Sequence, residues 1–304
     1  MVILKSYSCS YPASIQPAYS GVIQSVFSRR CAQKCAILTS APLMHIGILD
    51  VHTMPEGNYF YGASCGREWF LDPTKKFKDN SVSDVEVVVL DIVFEKISCL
   101  LEKARYKHFT WVGSGLQKHF GHITVAKQDC YGSVEERQSS LWVDTVKRLV
   151  QEVDPSGTML RVHETDTDIK IMLKAKMGGQ IFNKGDGIRL LVEHLELDLK
   201  DGNILVCGDS ESDLPMLQEC LEANAQAVYT IWVTSNDELK ETVTNMCEQY
   251  GTYNFAFVSC PEVLLGAMAQ ATIREIRIRP REDTSDSELS SNLPAVVDTA
   301  RYTA

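Results

Sequence analysis

The last third of the chain alternates short apolar runs with amphipathic stretches, and this alternation limits the fold more than any other feature. The apolar runs lie at 203–207, 228–233 and 255–258, and the stretches with helical spacing follow at 214–221, 237–249 and 261–275. Strands that alternate with helices form a parallel sheet covered on both faces. The earlier run 35–39 is equally short and apolar, as a buried parallel strand is. The sequence therefore predicts an α/β core.

A different order of elements separates these core segments. Helices are predicted over 84–105 and 134–153, and strands over 109–112, 123–125, 159–162 and 169–173. This order of helix, two strands, helix and two strands indicates an inserted α+β unit. We therefore assign 1–61 and 177–275 to the core and 62–176 to the insertion. From residue 276 the sequence becomes polar and aperiodic, so 276–304 is predicted to be a disordered tail.

Charge and composition exclude several classes of function. The net charge is −10, whereas nucleic-acid binding requires a basic surface. The apolar start at 1–5 is too short for a signal peptide, and no apolar run approaches the roughly 18 residues of a membrane span. The ten cysteines are irregularly spaced and several lie in apolar runs, which favours reduced thiols over a disulfide framework or a zinc site. We expect a cytoplasmic protein without a membrane or nucleic-acid partner.

Two carboxylates follow the strand predicted at 203–207. They lie in the string Cys207-Gly-Asp-Ser-Glu-Ser-Asp213, as Asp209 and Asp213. Ligands of open α/β sheets bind at the carboxyl ends of strands, and Mg²⁺ accepts one or two carboxylates together with a phosphate and water. The pair is thus a candidate Mg²⁺ site. In the alternative interpretation, Asp209 only ends a strand and Asp213 caps the next helix.

A lysine and a hydroxyl occupy comparable positions elsewhere in the core. Lys184 stands just ahead of a helix whose apolar face includes Leu191 and Leu195. A lysine at a helix start opposes the helix dipole unless an anion is present, although a solvated loop lysine is the ordinary alternative. Thr39 ends the strand at 35–39, where its hydroxyl can donate a hydrogen bond to a phosphoryl oxygen.

In this order, a hydroxyl, a lysine and Gly-Asp-x-x-x-Asp resemble motifs two, three and four of the haloacid-dehalogenase phosphatases. Longer strings resemble the nematode trehalose-6-phosphate phosphatases from about Tyr7 to Ile273; they lie at 46–51, 62–70, 112–118 and 257–263. The resemblance implies a Rossmann-like α/β core with an inserted α+β cap domain. It also implies Mg²⁺-dependent hydrolysis of trehalose 6-phosphate, a small-molecule sugar phosphate.

The resemblance assigns roles in the core. Thr39 would hydrogen-bond the phosphoryl group, Lys184 would neutralise its charge, Asp209 would bind the metal, and Asp213 would be a secondary ligand.

In the cap, Gln117, Lys118 and His119 correspond to the substrate-contacting triplet, with His119 in place of the usual basic residue. Arg67 and Glu68 would face the sugar, or would form an exposed ion pair in a turn; the two interpretations are equally supported.

The family's first motif, Asp-x-Asp-Gly-Thr, provides the nucleophile on the first strand and does not occur in these 304 residues. The segment 14–21 resembles the stretch that comes after that motif in the family, and counting back places the nucleophile ahead of Met1. We therefore expect the first core strand to be missing and the chain to be inactive, as a truncated gene model or splice form. The rival hypotheses are a non-catalytic sugar-phosphate-binding or regulatory pseudophosphatase, and a phosphatase for another sugar phosphate.

Overall fold

The computed structural model describes residues 16–44, 47–54, 57–174 and 181–279. Its helices are α1 Ala18–Cys31, α2 Ile48–Val51, α3 Asp84–Leu101, α4 Glu136–Val153, α5 Lys184–Leu195, α6 Leu214–Asn224, α7 Asp237–Gln249 and α8 Pro261–Ile278. Its strands are β1 Ala36–Leu38, β2 Phe60–Ala63, β3 Glu68–Asp72, β4 Lys75–Lys78, β5 Leu116–His119, β6 His122–Ala126, β7 Leu160–Glu164, β8 Asp168–Leu173, β9 Ile204–Gly208, β10 Val228–Val233 and β11 Phe255–Val258. None of the helices in these ranges is long and apolar enough to cross a membrane.

The described residues of the core form two sheets. One has the order β11-β10-β9 with all strands parallel, as the alternating sequence pattern predicts. Its apolar cluster includes Leu217, Leu221 and Val243 around the fully buried Trp232. Trp232 pairs in register with Gly208, and a Cβ on Gly208 would lie 2.6 Å from the indole ring. Glycine at this strand end is therefore required by the packing of the tryptophan.

The other core sheet has the order β1-β2-β3-β4, with β1 and β2 parallel and the rest antiparallel. The predicted boundary between residues 61 and 62 falls inside β2. The hairpin β3–β4 stays with the core because Trp69 and Leu71 pack against Leu191 of α5. At the other end, α8 continues to Ile278, beyond the predicted limit at residue 275. Residues 1–15 and the remainder of the predicted disordered tail, 280–304, lie outside the described residues.

The inserted unit is an antiparallel sheet of order β5-β6-β8-β7, covered on one face by α3 and α4. Every second residue of the central strands is apolar and buried, and these side chains pack with Trp142 of α4. They are Ile123, Val125, Ile169, Ile171 and Leu173. This period of two places the apolar residues on the helix side and leaves the other face polar. We use the word cap as a label for this inserted unit, and we call the side of its sheet that faces away from α3 and α4 the open face of the cap sheet.

The first strand of this unit lies later than predicted. Residues 107–110 form a 3₁₀ turn, and the strand is Leu116–His119. Phe109 is an isolated apolar anchor, 1% exposed and stacked on Trp142. Gly113 and Gly115 both have positive φ, so the chain turns there before it becomes extended. The prediction of a strand at 109–112 was therefore wrong.

Candidate functional site

The residues predicted to bind phosphate and metal lie at strand ends of the core. Thr39 directly follows β1, Asp209 directly follows β9, and Lys184 is the first residue of α5. Lys184 Nζ forms a salt bridge with Asp213 Oδ1, and both residues are buried, at 7% and 1% exposed. The structure therefore brings together Lys184 and the Asp209–Asp213 turn, which lie far apart in the sequence.

Asp213 is fully committed to neighbouring donors. Its second oxygen, Oδ2, accepts the backbone N–H groups of Asp209 at 3.0 Å and Ser210 at 3.3 Å. Burial alone would raise the pKa of Asp213. The Lys184 ammonium and the Asp209 amide outweigh burial, and the pKa is lowered. Asp213 is thus an anion that holds Lys184 and the turn in place.

The pKa of Asp209 is shifted in the opposite direction to that of Asp213. Burial, followed by repulsion from the Asp213 carboxylate, raises the pKa of Asp209 to about 6. A divalent cation would remove this penalty, because it favours the ionised carboxylate. Within the described ranges, no three His, Cys, Asp or Glu side chains gather into a metal-binding cluster. The residues present fit Mg²⁺ held by Asp209 with phosphate and water as the other ligands, in agreement with the hydration that this ion retains.

The start of α5 is fixed by an N-cap. Asn183 Oδ1 accepts the N–H groups of Gly185 at 2.8 Å and Asp186 at 3.2 Å, and Asp186 in turn accepts the Asn183 N–H at 2.9 Å. This capping box sets where the helix begins. Lys184 is therefore held at the positive end of the helix dipole, where an anion is stabilised.

A turn at 64–66 connects the site to its surroundings. Ser64, Cys65 and Gly66 all have positive φ, at 52°, 62° and 93°. Cys65 N donates to Thr39 O at 2.9 Å, and a Cβ on Gly66 would lie 2.4 Å from the Cα of Gly187 in α5. The turn thus touches both the Thr39 loop and the first turn of α5. Two non-glycine residues in this conformation represent strain that the surrounding contacts must hold.

Arg67 was predicted to face the sugar or to form an exposed ion pair, and its ion pair is buried. Arg67 Nη1 lies 2.9 Å from Asp79 Oδ2, and the two side chains are 9% and 8% exposed. The guanidinium lies 4.3 Å from the centre of the Phe182 ring and covers Gly121, the turn between β5 and β6. Arg67 therefore contacts the segments that enter and leave the cap as well as the cap hairpin.

Glu68 is also buried, at 8% exposed, and its carboxylate accepts hydrogen bonds from other residues of the chain. Glu68 Oε1 accepts the hydroxyl of Ser64 at 2.8 Å and the N–H of Leu43 at 3.4 Å. The Ser64 hydroxyl oxygen accepts the N–H of Phe120 at 3.0 Å. These bonds link the cap to the loop that follows Thr39.

The structure separates the predicted cap triplet. Lys118 points to the helix side, where its ammonium lies 2.7 Å from Asp91 Oδ1 and over Phe94 of α3. Gln117 and His119 alternate with Lys118, so they lie on the open face. His119 is 6% exposed and stacks on His122, with ring centres 4.0 Å apart.

Sequence reasoning missed two residues of the open face, His122 and Lys170. Burial is the first cause that lowers the pKa of His119 to about 3; the positive charge of Lys170 adds to it. The pKa of His122 is lowered well below its ordinary value by burial, His119 and Lys170. The alternation of apolar residues along β6 and β8 is the sequence signal that could have placed both residues on the face opposite the helices.

Comparisons with known proteins identify the family and the fold. A family model described as "Trehalose-6-phosphate phosphatase, C-terminal" matches residues 3–264. The alpha,alpha-trehalose-phosphate synthase [UDP-forming] 1 of Aphelenchoides avenae is 63% identical over 287 residues, covering 94% of this chain and 25% of that protein. The trehalose-phosphatase of Caenorhabditis elegans is 34% identical over 268 residues, covering 88% of this chain and 60% of that protein. The chain thus spans about a quarter of the synthase's length.

A solved structure shows the same fold. The C-terminal domain of trehalose-6-phosphate phosphatase from C. albicans superposes with a TM-score of 0.53 at 13% identity, covering 86% of each chain. At this identity the likeness concerns the fold alone. The haloacid-dehalogenase-type α/β architecture expected from the motifs is confirmed. With most of its length matched by the family model, the chain belongs to the trehalose-6-phosphate phosphatase, C-terminal family.

Proposed function

We propose that this chain binds trehalose 6-phosphate between core and cap and, as it stands, does not hydrolyse it. The observation that carries the proposal is the buried Lys184–Asp213 pair at the start of α5. Burying an ion pair costs desolvation energy and is a poor source of stability, so its presence at a helix start that meets the turn bonded to Thr39 favours ligand binding. The names of two relatives support the choice of ligand, because one is called a trehalose-phosphate synthase and the other a trehalose-phosphatase.

Each core residue has a definite part in phosphate binding. Lys184 brings a positive charge that helix α5 reinforces, and Asp213 keeps its ammonium in place. Thr39 Oγ1 accepts the Ala41 N–H at 3.1 Å and retains its own hydrogen for donation to a phosphoryl oxygen. Asp209 would hold Mg²⁺, which would add positive charge at the phosphoryl oxygens. These residues bind and orient, but none of them is a carboxylate placed to attack phosphorus.

The sequence supports the absence of hydrolysis. The family match begins at residue 3, so it includes a segment ahead of Gln16. In that segment the apolar run 2–4 precedes Ser6-Tyr-Ser-Cys-Ser10, which has the length of Asp-x-Asp-Gly-Thr with serine at both aspartate positions. We infer that this string is the first motif of this chain, in place of one ahead of Met1. A neutral serine does not provide the carboxylate that this chemistry requires.

Two measurements test the proposal. Calorimetric titration with trehalose 6-phosphate and Mg²⁺ is expected to show binding that Lys184→Met weakens at least about tenfold, as loss of one charged contact implies. Lys240→Met, at a half-buried lysine of α7 that pairs with Asp237, is the matched control. A wild-type chain that binds no sugar phosphate from a panel contradicts the proposal; preference for another sugar phosphate identifies the rival ligand.

The second measurement is phosphate release. The wild-type chain is expected to release none above background, whereas the variant Ser6→Asp, Ser8→Asp, Cys9→Gly, Ser10→Thr is expected to gain Mg²⁺-dependent activity. Release by the wild-type chain at an enzyme's rate contradicts the non-catalytic assignment. No gain in a variant that still binds the ligand contradicts the assignment of residues 6–10 as the first motif.

A further inference from the structure

We propose that Lys170, and not Lys118, is the cap's anion-binding residue, so that the ligand's phosphoryl group is held between Lys184 of the core and Lys170 of the cap. This inference rests on the proposed sugar-phosphate site and deepens it. The cap then recognises the phosphate itself, and the ligand class is a phosphomonoester with its charge at the junction of the two units.

The direction of Lys170 follows from strand geometry. Ile169 and Ile171, its neighbours along β8, are both fully buried in the cluster on the helix side. Lys170 therefore projects from the opposite, open face, where it pairs in register with Thr124 of β6 and His163 of β7. Lys118 lies on the other side of the same sheet, against α3. Only one of the two lysines thus shares a face with His119.

The charge balance distinguishes Lys170 from the other buried or paired cations of the junction, and its partial burial distinguishes it from the exposed Arg161 of the same face. Lys118 has Asp91 within salt-bridge distance, Lys184 has Asp213, and the Arg67 guanidinium has Asp79. Within the part of the chain that the structure describes, no carboxylate lies within 4.0 Å of the half-buried Lys170. A cation partly removed from water without a counter-charge is unfavourable, and an anionic ligand would reverse that.

The cations of core and cap act on the same point. Burial raises the pKa of the Cys65 thiol, and three positive groups oppose this: Lys184, then Lys170, then Arg67. Cys65 lies in the turn that donates to Thr39 O, so this point adjoins the proposed phosphate site. Burial lowers the pKa of the two imidazoles beside Lys170, so they stay neutral and add no second positive charge that would oppose the lysine. The positive potential of the junction thus comes from both units.

Titration of lysine variants with trehalose 6-phosphate tests the inference. Lys170→Met is expected to weaken binding about tenfold or more, and Lys170→Arg is expected to restore most of it because the charge returns. Lys147→Met, an exposed lysine of α4, is the control that leaves the affinity unchanged. The loss at Lys170 is expected to shrink as salt is raised and to be small for trehalose without phosphate.

The outcomes separate this inference from the proposed function. If the wild-type chain binds trehalose 6-phosphate and Lys184→Met abolishes binding while Lys170→Met leaves it intact, the inference is wrong and the site stands. A larger loss in Lys118→Met than in Lys170→Met also overturns it. If the wild-type chain binds no sugar phosphate, the proposed function fails first. Lys170→Gln, with its unfolding midpoint measured, replaces the methionine variant if that one does not fold.

Discussion

The two faces of the cap sheet differ in what determines them. The helix face is a dense apolar cluster that includes Trp142, Ile123 and Ile171, all fully buried. The open face carries polar and ionisable side chains, among them His119, His122 and Lys170. The first face follows from the period of each element taken alone, whereas the second depends on which strands pair and in what register. The periodicity of each element thus determines the apolar helix face, whereas the register between strands determines which side chains meet on the candidate binding surface.

The largest effect should come from the helix face. Trp142→Ala is expected to lower the free energy of unfolding by about 4 kcal/mol, because it empties a fully buried site and removes the indole hydrogen bond to Ala126 O at 3.1 Å. Urea denaturation measures the change. Trp111, at 83% exposed, is the matched control, and Trp111→Ala should cost less than about 0.5 kcal/mol. Equal effects would show that the helix face does not carry the stability of the cap.

The second largest effect is expected at the buried Arg67–Asp79 ion pair, whose arginine contacts the cap hairpin at Gly121. Asp79→Asn is expected to destabilise the protein by about 3 kcal/mol, because it leaves the buried Arg67 guanidinium without a counter-charge. Denaturation again measures it, and hydrogen exchange at Gly121 and Asn183 should report local loosening. The double variant Arg67→Met, Asp79→Leu should recover much of the loss. No recovery would mean that Arg67 acts through its stacking on Phe182 rather than through the ion pair.

A pH effect of intermediate size is expected on the open face. The pKa of His119 is about 3 in the fold, and the ordinary value is 6.5. Below pH 6.5 the unfolded chain binds a proton that the folded chain does not, so stability is complete above 6.5 and falls as the pH falls towards 3. At about 1.4 kcal/mol per pH unit, His119 should cost about 2 kcal/mol between pH 6.5 and 5.

Unfolding at several pH values measures this contribution. His119→Phe should flatten the decline, whereas His163→Phe, at an exposed position of β7, should not. A wild-type stability that does not fall between pH 6.5 and 5 would contradict the burial of a neutral His119. His122, stacked on His119, should add to the decline in the same direction.

The smallest effect is expected at Lys118. Its ion pair with Asp91 joins side chains that are 45% and 42% exposed, so Lys118→Met should change the free energy of unfolding by less than about 1 kcal/mol. A double-mutant cycle with Asp91→Asn isolates the pair, and added salt should remove most of its coupling energy. A loss of several kcal/mol would contradict the exposure of this ion pair.

The sequence was most informative where an element's own pattern decides its place. β10, α7 and β11 have the predicted limits, since each is a short apolar run or an amphipathic stretch between turn residues. Helix α1 was not predicted. Its buried side is made of small and polar residues, in which Gln24 Nε2 donates to Ser20 Oγ at 2.8 Å. A helix that buries its polar side has no apolar period to detect.

The candidate site shows the same division. Lys184 and the Asp209–Asp213 turn were found because each stands next to a recognisable strand or helix, although their salt bridge was not foreseen. Lys170 was missed because its role depends on β8 lying beside β6, a pairing between strands more than 40 residues apart. Arg67 was misjudged because it precedes β3 and Asp79 follows β4, so the burial of their ion pair depends on tertiary packing around this hairpin that the sequence pattern does not show.

The contact between Gly66 and Gly187 has a mechanical consequence. Backbone meets backbone there, since a Cβ on Gly187 would lie 2.3 Å from Cys65 O. Elsewhere in a protein, a small displacement is absorbed when a side chain changes rotamer. Because the backbone of this turn packs directly on the backbone of α5, a shift of the turn acts on the end of the helix that carries Lys184 without first being absorbed by a rotamer change. A movement of the cap that pulls on Ser64 through Phe120 would therefore act on the position of Lys184.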